Sequence, residues 1–186
     1  MTELDKQSTE TLKAWIWSGF YSRLEVKERA RDLVSDESEF EAAEFFINAE
    51  FRTKHKAERS WPAETDCDRL DRVFEGLRAN GLVTLQNAGF TTGDGHYEVD
   101  VAVQQSASEQ FHGYVFYQGQ DLDRVVQTGD LYLAFGSLDD NRSQTTEVGN
   151  LTRAALEKEG FKVEWDGSPE ARILVRSVEW RKRGPA

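Results

Sequence analysis

Apolar positions recur along this chain at two different periods, and the change of period divides it. From residue 11 to about residue 62 the period is helical. Leu12, Trp15 and Ile16 lie on one helical stripe, with Gly19 as a stop. Ser22 and Glu25 form an S-x-x-E capping box that opens a second helix, with Leu24, Val26, Ala30, Leu33 and Val34 as its apolar positions. Asp36 is placed to cap a third helix running to about Arg59. Its apolar residues Phe40, Ala43, Ile47 and Phe51 recur at helical spacing. Trp61-Pro62 ends that helix, because proline pushes the residue before it out of the helical region. A fourth helix is the most regular. Thr65 or Asp66 caps it, Leu70, Val73, Phe74 and Leu77 form its buried stripe, and Asn80-Gly81 supplies the left-handed stop.

Beyond Gly81 short apolar runs alternate with helical patterns. Leu82–Leu85 reads as a strand and 87–96 as a glycine-rich loop, with Gly93-Asp94-Gly95 as a turn within it. Residues 97–111 fit both periods, and the Ala, Gln and Ser content together with the His112-Gly113 stop favours a helix. GYVFY (113–117) and LYLAF (131–135) are continuous apolar runs, as expected of strands buried on both faces. A short helix closed by Gly129 lies between them, and a longer helix spans 144–160. Phe161–Trp165, the turn Asp166-Gly-Ser-Pro and Ile173–Val178 predict a terminal hairpin. The predicted fold is therefore α/β or α+β. A helical N-terminal region (1–62) precedes a mixed, mostly parallel sheet of about five strands with packed helices and a C-terminal hairpin (63–180), the two expected to form one compact unit. The tail 181–186, RKRGPA, is expected to be loose.

Charge changes the picture more than composition does. The formal charge is −11. Residues 1–62 carry 10 basic and 13 acidic side chains, residues 63–171 carry 8 and 20, and residues 172–186 carry 5 and 1. An acidic body repels nucleic acid and anionic membrane and favours a basic protein partner, while the ordinary role of net charge in keeping a protein soluble explains the same acidity without a partner. Arg181-Lys182-Arg183 is too small a basic patch to outweigh that repulsion. The single cysteine, Cys67, excludes an intrachain disulfide. The start MTELDKQSTE lacks the pattern of a signal peptide, and no apolar run approaches a membrane span, so a cytoplasmic address is expected.

No catalytic motif is present: there is no G-x-S-x-G, H-E-x-x-H, C-x-x-C or phosphate loop. His55, His96 and His112 have no metal-pair spacing, and neither a metal nor a cofactor is expected. Cys67, flanked by Asp66 and Asp68, reads as a packing residue, because a thiolate nucleophile needs an electropositive setting. Asp139-Asp140-Asn141 lacks the later glutamate of a calcium loop. Candidate contacts are therefore few. His96 is one because it falls in the glycine-rich loop, and Trp61 is another as an aromatic beside a proline. Tyr117, Gln118, Gln120 and Asp121 follow a buried strand, where α/β proteins place ligand contacts. A polar turn with Asp121 as a helix cap explains the last three almost equally well.

Six stretches together resemble a family of uncharacterised bacterial cytosolic proteins, a domain of unknown function. They are W-x-W-S-G-F (15–20), W-P-A-E-T-D-C-D-R-L-D (61–71), G-L-V-T-L-Q-N (81–87), G-Y-V-F-Y-Q-G-Q-D (113–121), L-Y-L-A-F-G (131–136) and V-E-W-D-G-S-P-E-A-R-I (163–173). The resemblance implies cysteines, in many members, in the loop after the Q-N pair, and a histidine at the position of Gln118. This chain has neither, which favours binding over catalysis. Two expectations result. The first is an acidic protein-binding module, in one form an immunity or antitoxin-like protein that masks a basic toxin. The second is a small-molecule-binding or enzymatic α/β domain with its site near 117–121.

Overall fold

A computed structural model describes residues 4–106 and 111–185. Seven helices and five strands are present among them. The chain divides into two compact units, Met1–Thr65 with Trp180–Ala186, and Asp66–Glu179.

The first unit is a helical bundle of α1 (Lys6–Ser18), α2 (Arg23–Leu33) and α3 (Glu37–Glu58). The predicted start signals form as bonds. Ser22 and Glu25 make the reciprocal capping box, and Asp36 accepts from the backbone N–H groups of Ser38 and Glu39. The stripes Leu12/Ile16, Val26/Ala30 and Phe40/Ala43/Ile47/Phe51 close into one core. Trp180 and two residues of the 181–186 tail make contacts within this unit. Trp180 Nε1 donates to Ser18 O (3.0 Å), Arg183 donates to Pro62 O (2.7 Å), and the Lys182 ammonium lies over the Phe20 ring. Gly19 serves both ends of this contact. It takes φ +78° as the cap of α1, and a Cβ there would lie 2.4 Å from Lys182 O.

The second unit opens with α4 (Asp66–Ala79) and β1 (Leu82–Leu85). It continues through α5 (Thr92–Gln105), β2 (Gly113–Phe116), α6 (Gly119–Thr128), β3 (Leu131–Ser137), α7 (Arg142–Lys158), β4 (Lys162–Glu164) and β5 (Ile173–Arg176). The sheet is mixed, in the order β1-β2-β3-β5-β4. The parallel majority expected from helix–strand alternation does not hold, since among the described residues β1/β2 is a parallel pair and β2/β3, β3/β5 and β4/β5 are antiparallel. Two features account for this. β3 extends three residues beyond the end of β2, so α6 returns the chain where it left and β3 pairs antiparallel. β3 and β4 do run the same way across α7, but the hairpin folds β5 into the slot between them.

Strand alternation sends Phe116 and Ala134 to the face covered by α5 and Leu133 and Val115 to the opposite face. Burying side chains such as Phe116 and Leu133 completely contributes roughly 1.5–3 kcal/mol each. The helix expected somewhere in 97–111 is α5, and it begins earlier than predicted, at Thr92. Its predicted far end falls partly outside the described residues. Gly93-Asp94-Gly95 is its first turn, not a loop. Thr91 and Asp94 form a capping box, and Gly95 is small because Phe116 packs against it, where a Cβ would lie 2.3 Å from the ring. Among the described residues no helix is long and apolar enough to cross a membrane.

Candidate functional site

The ends of the parallel pair β1 and β2 lie side by side, and the chain beyond them stays paired. Tyr117 N–H donates to Leu85 O, and Ala88 N–H donates to Tyr117 O (2.9 Å). Asn87 and Gly89 take left-handed φ values of 54° and 60°, which turn the 86–91 segment across the start of α6. There Gly89 O accepts from Gly119 N–H (2.9 Å) and Phe90 O from Gln120 N–H (3.2 Å). The N-terminal amides of α6, which would otherwise be free for an anion, are thus occupied by this strap.

Beneath the strap the predicted residues divide. Asp121 is buried and accepts from Arg172 Nη2, with Arg124 Nη1 3.6 Å from its other oxygen. Arg172 also donates to Tyr132 O (3.0 Å) and lies over the Tyr132 ring. Gln118 is buried as the N-cap residue of α6. Its Oε1 and the Nε of Arg172 are buried with no hydrogen-bond partner among the described residues. Gln120 is exposed. Asp121 therefore holds Arg172 and the first turn of α6. Sequence reading missed Arg172 altogether, because the contact joins residues 51 apart.

Tyr117 faces the other way. It is fully buried and meets Phe74 of α4 edge-on. Its phenol donates to Gln86 Oε1 (2.8 Å), and Gln86 Nε2 donates to Asp71 Oδ1 (2.7 Å). Burial, with added repulsion from Cys67 and Asp71, holds the phenol well above its ordinary pKa, so it is a fixed donor. The Gln86 amide is thereby oriented towards the Asp71 carboxylate. Asp71, Phe74, Glu75, Arg78, Thr84 and Gln86 line a groove of about 300 Å³ between α4 and β1. Its sequence signal was available, since Asp71, Glu75 and Arg78 recur at i, i+4 and i+7 on α4.

His96 lies on α5 and not in a loop. It is exposed and meets Tyr114 and Phe116 edge-on at 5.3 and 5.2 Å, on the α5 side of the sheet, away from the Tyr117 relay. Burial, then the charges of Asp140 and Asp100, raise the Tyr114 phenol. On α5 itself Tyr97 is exposed at 69%, with Glu98 and Asp100 close to it in sequence, and Phe90 of the preceding strap is exposed at 56% beside the start of α6. Trp61 belongs to the helical unit, where it is half-buried and its backbone N–H donates to Glu58 O (3.3 Å). Cys67 is buried. Among the described residues no group of three or more His, Cys, Asp or Glu side chains is placed to hold a metal ion.

No curated protein and no solved structure matches the chain. One family model does, across residues 1–184. The chain belongs to the family described as Domain of unknown function (DUF6891).

Proposed function

We propose that the Asp66–Glu179 unit is an acidic binding module for a basic protein, in one form an immunity or antitoxin-like protein that masks a basic toxin. One observation carries the reading. The unit holds 20 acidic and 10 basic residues, and at least seven of those ten pair with carboxylates of the same unit. The acidic surplus is therefore not neutralised from within, and its field speeds the approach of a cationic partner. Exposed Phe90 and Tyr97, among acidic side chains, supply the apolar anchors that charge alone lacks. The alternative of a small-molecule site at 117–121 has less support, because the 86–91 strap occupies the α6 amides and both Gln118 and Asp121 are buried.

The test is a tagged pull-down from the native host at low and then moderate salt, followed by a binding titration with the captured protein. The expected result is a basic protein whose affinity falls as salt rises. An affinity unchanged between low and high salt overturns the reading.

A further inference from the structure

The groove between α4 and β1 has a polarity that the net charge alone does not explain. Asp71 and Glu75 stand one helical turn apart at one end, Arg78 lies a turn further along, and Phe74 and Thr84 lie between α4 and the strand. Side chains at i and i+4 have Cβ atoms about 5–6 Å apart, a gap that one planar guanidinium can bridge. Glu75 is exposed and makes no hydrogen bond or ion pair among the described residues. Asp71 is held differently. The relay from the buried Tyr117 phenol through the Gln86 amide fixes its carboxylate at the groove wall. That arrangement costs side-chain entropy before any ligand arrives, so a cation entering the groove meets a preformed acceptor. β1 is also an edge strand, with α4 and α5 packed on its two faces. The groove and the aromatic α5 surface thus lie on either side of the same strand.

We propose that this groove seats an arginine side chain of the basic partner, its guanidinium between Asp71 and Glu75 and its methylenes against Phe74. The inference rests on the basic-partner reading and names the residue that the partner presents. Arginine fits better than lysine, because its fixed fork reaches two carboxylates and its weaker hydration lowers the cost of entry. Arg78 lies at the other end of the groove, with its guanidinium over the Phe111 ring.

The experiment is a titration of the isotope-labelled full chain with N-acetylarginine amide, N-acetyllysine amide and the neutral N-acetylleucine amide, followed by two-dimensional amide NMR. The arginine probe is expected to perturb the Gln86 side-chain amide and the Thr84 and Glu75 backbone signals, saturably and at lower concentration than the lysine probe. The leucine probe leaves them in place. E75Q weakens the arginine probe about two- to fivefold, as expected of one exposed charge pair. D71N/E75Q removes saturation, although the amide oxygen that D71N introduces still accepts from Gln86 and keeps the fold. A response to leucine equal to that to arginine, or arginine binding retained by D71N/E75Q, overturns the proposal. The wider reading fails separately. If the salt-sensitive partner binds D71N/E75Q as it binds the parent, the groove is wrong and the acidic module stands. If the arginine probe fills the groove and no salt-sensitive basic partner exists, the seat stands and the partner reading falls.

Discussion

The helical unit carries 14 acidic and 13 basic residues, and the sheet unit carries 20 and 10. Both are closed by ordinary apolar packing, around Leu12, Ile16 and Ile47 in one and Val115, Phe116 and Leu133 in the other. Self-repulsion of like charges works against a compact state, so the sheet unit folds despite its surplus and not because of it. The difference marks the surface to test for function, since folding does not require the asymmetry and either solubility or an outside partner accounts for it. Among the described residues each unit also buries a charge, and the two are of opposite kind. Lys54 is 1% exposed in the helical unit and has Glu58 as its ion-pair partner at 3.7 Å, while Asp121 is 1% exposed in the sheet unit and is held by Arg172.

The sharpest way to break the comparison is to empty those two burial sites. Asp121→Ala leaves the Arg172 guanidinium without its carboxylate, and Lys54→Ala leaves Glu58 without its ammonium. Each is expected to cost about 3–5 kcal/mol in denaturant unfolding, the usual result of breaking a buried pair. Asp121→Asn keeps an acceptor and is expected to cost less than Asp121→Ala. If Asp121→Ala costs under about 1 kcal/mol, the pair is an ordinary surface contact and the assignment of Gln118–Asp121 to the fold is wrong.

The next effect tests the relay. Tyr117→Phe removes the donor to Gln86 Oε1 and is expected to cost about 1–3 kcal/mol through the acceptor left behind. The pH dependence gives an independent sign. The folded phenol stays neutral well above its ordinary value of about 10. Its contribution to stability is therefore fully present below that value and is lost as pH rises towards the folded pKa. Stability of the parent should fall more steeply with pH above about 10 than that of Tyr117→Phe. Parallel alkaline limbs in the two proteins refute the assignment.

How much of this was legible in the sequence follows from the range of each interaction. Caps and stripes act within a few residues, so Ser22/Glu25, Asp36 and the stripe Leu70/Val73/Phe74/Leu77 read correctly. The start of α5 did not. Gly93 and Gly95 look like turn residues, yet neither takes a positive φ, and the reason for Gly95 is the Phe116 ring some twenty positions later. Strand direction was lost for a similar reason, since nothing local to β5 says that it slips between β3 and β4. Of the candidate site, Tyr117 and Asp121 were marked, but Gln86 and Arg172 give them their roles, and those contacts span 31 and 51 residues. Residues at a strand end were visible, and the opposite faces to which alternation sends them were not.

The smallest effect on stability is the most informative about function. Both units expose large apolar side chains, Leu24 (66%) and Phe45 (70%) in the helical unit and Tyr97 (69%) in the sheet unit. Removing an exposed side chain that packs on nothing changes stability by less than about 0.5 kcal/mol. Leu24→Ala and Tyr97→Ala should therefore melt alike. They should part company in partner binding. Tyr97 stands next to Glu98 and one turn from Asp100, so a cationic partner steered there meets an aromatic anchor, and its loss is expected to raise the dissociation rate several-fold with little change in the association rate. Leu24 lies in a unit whose charges nearly balance, and Leu24→Ala should leave both rates unchanged. A dissociation rate that responds to Leu24 and not to Tyr97 would place the contact on the helical unit, and the charge asymmetry would then need another cause.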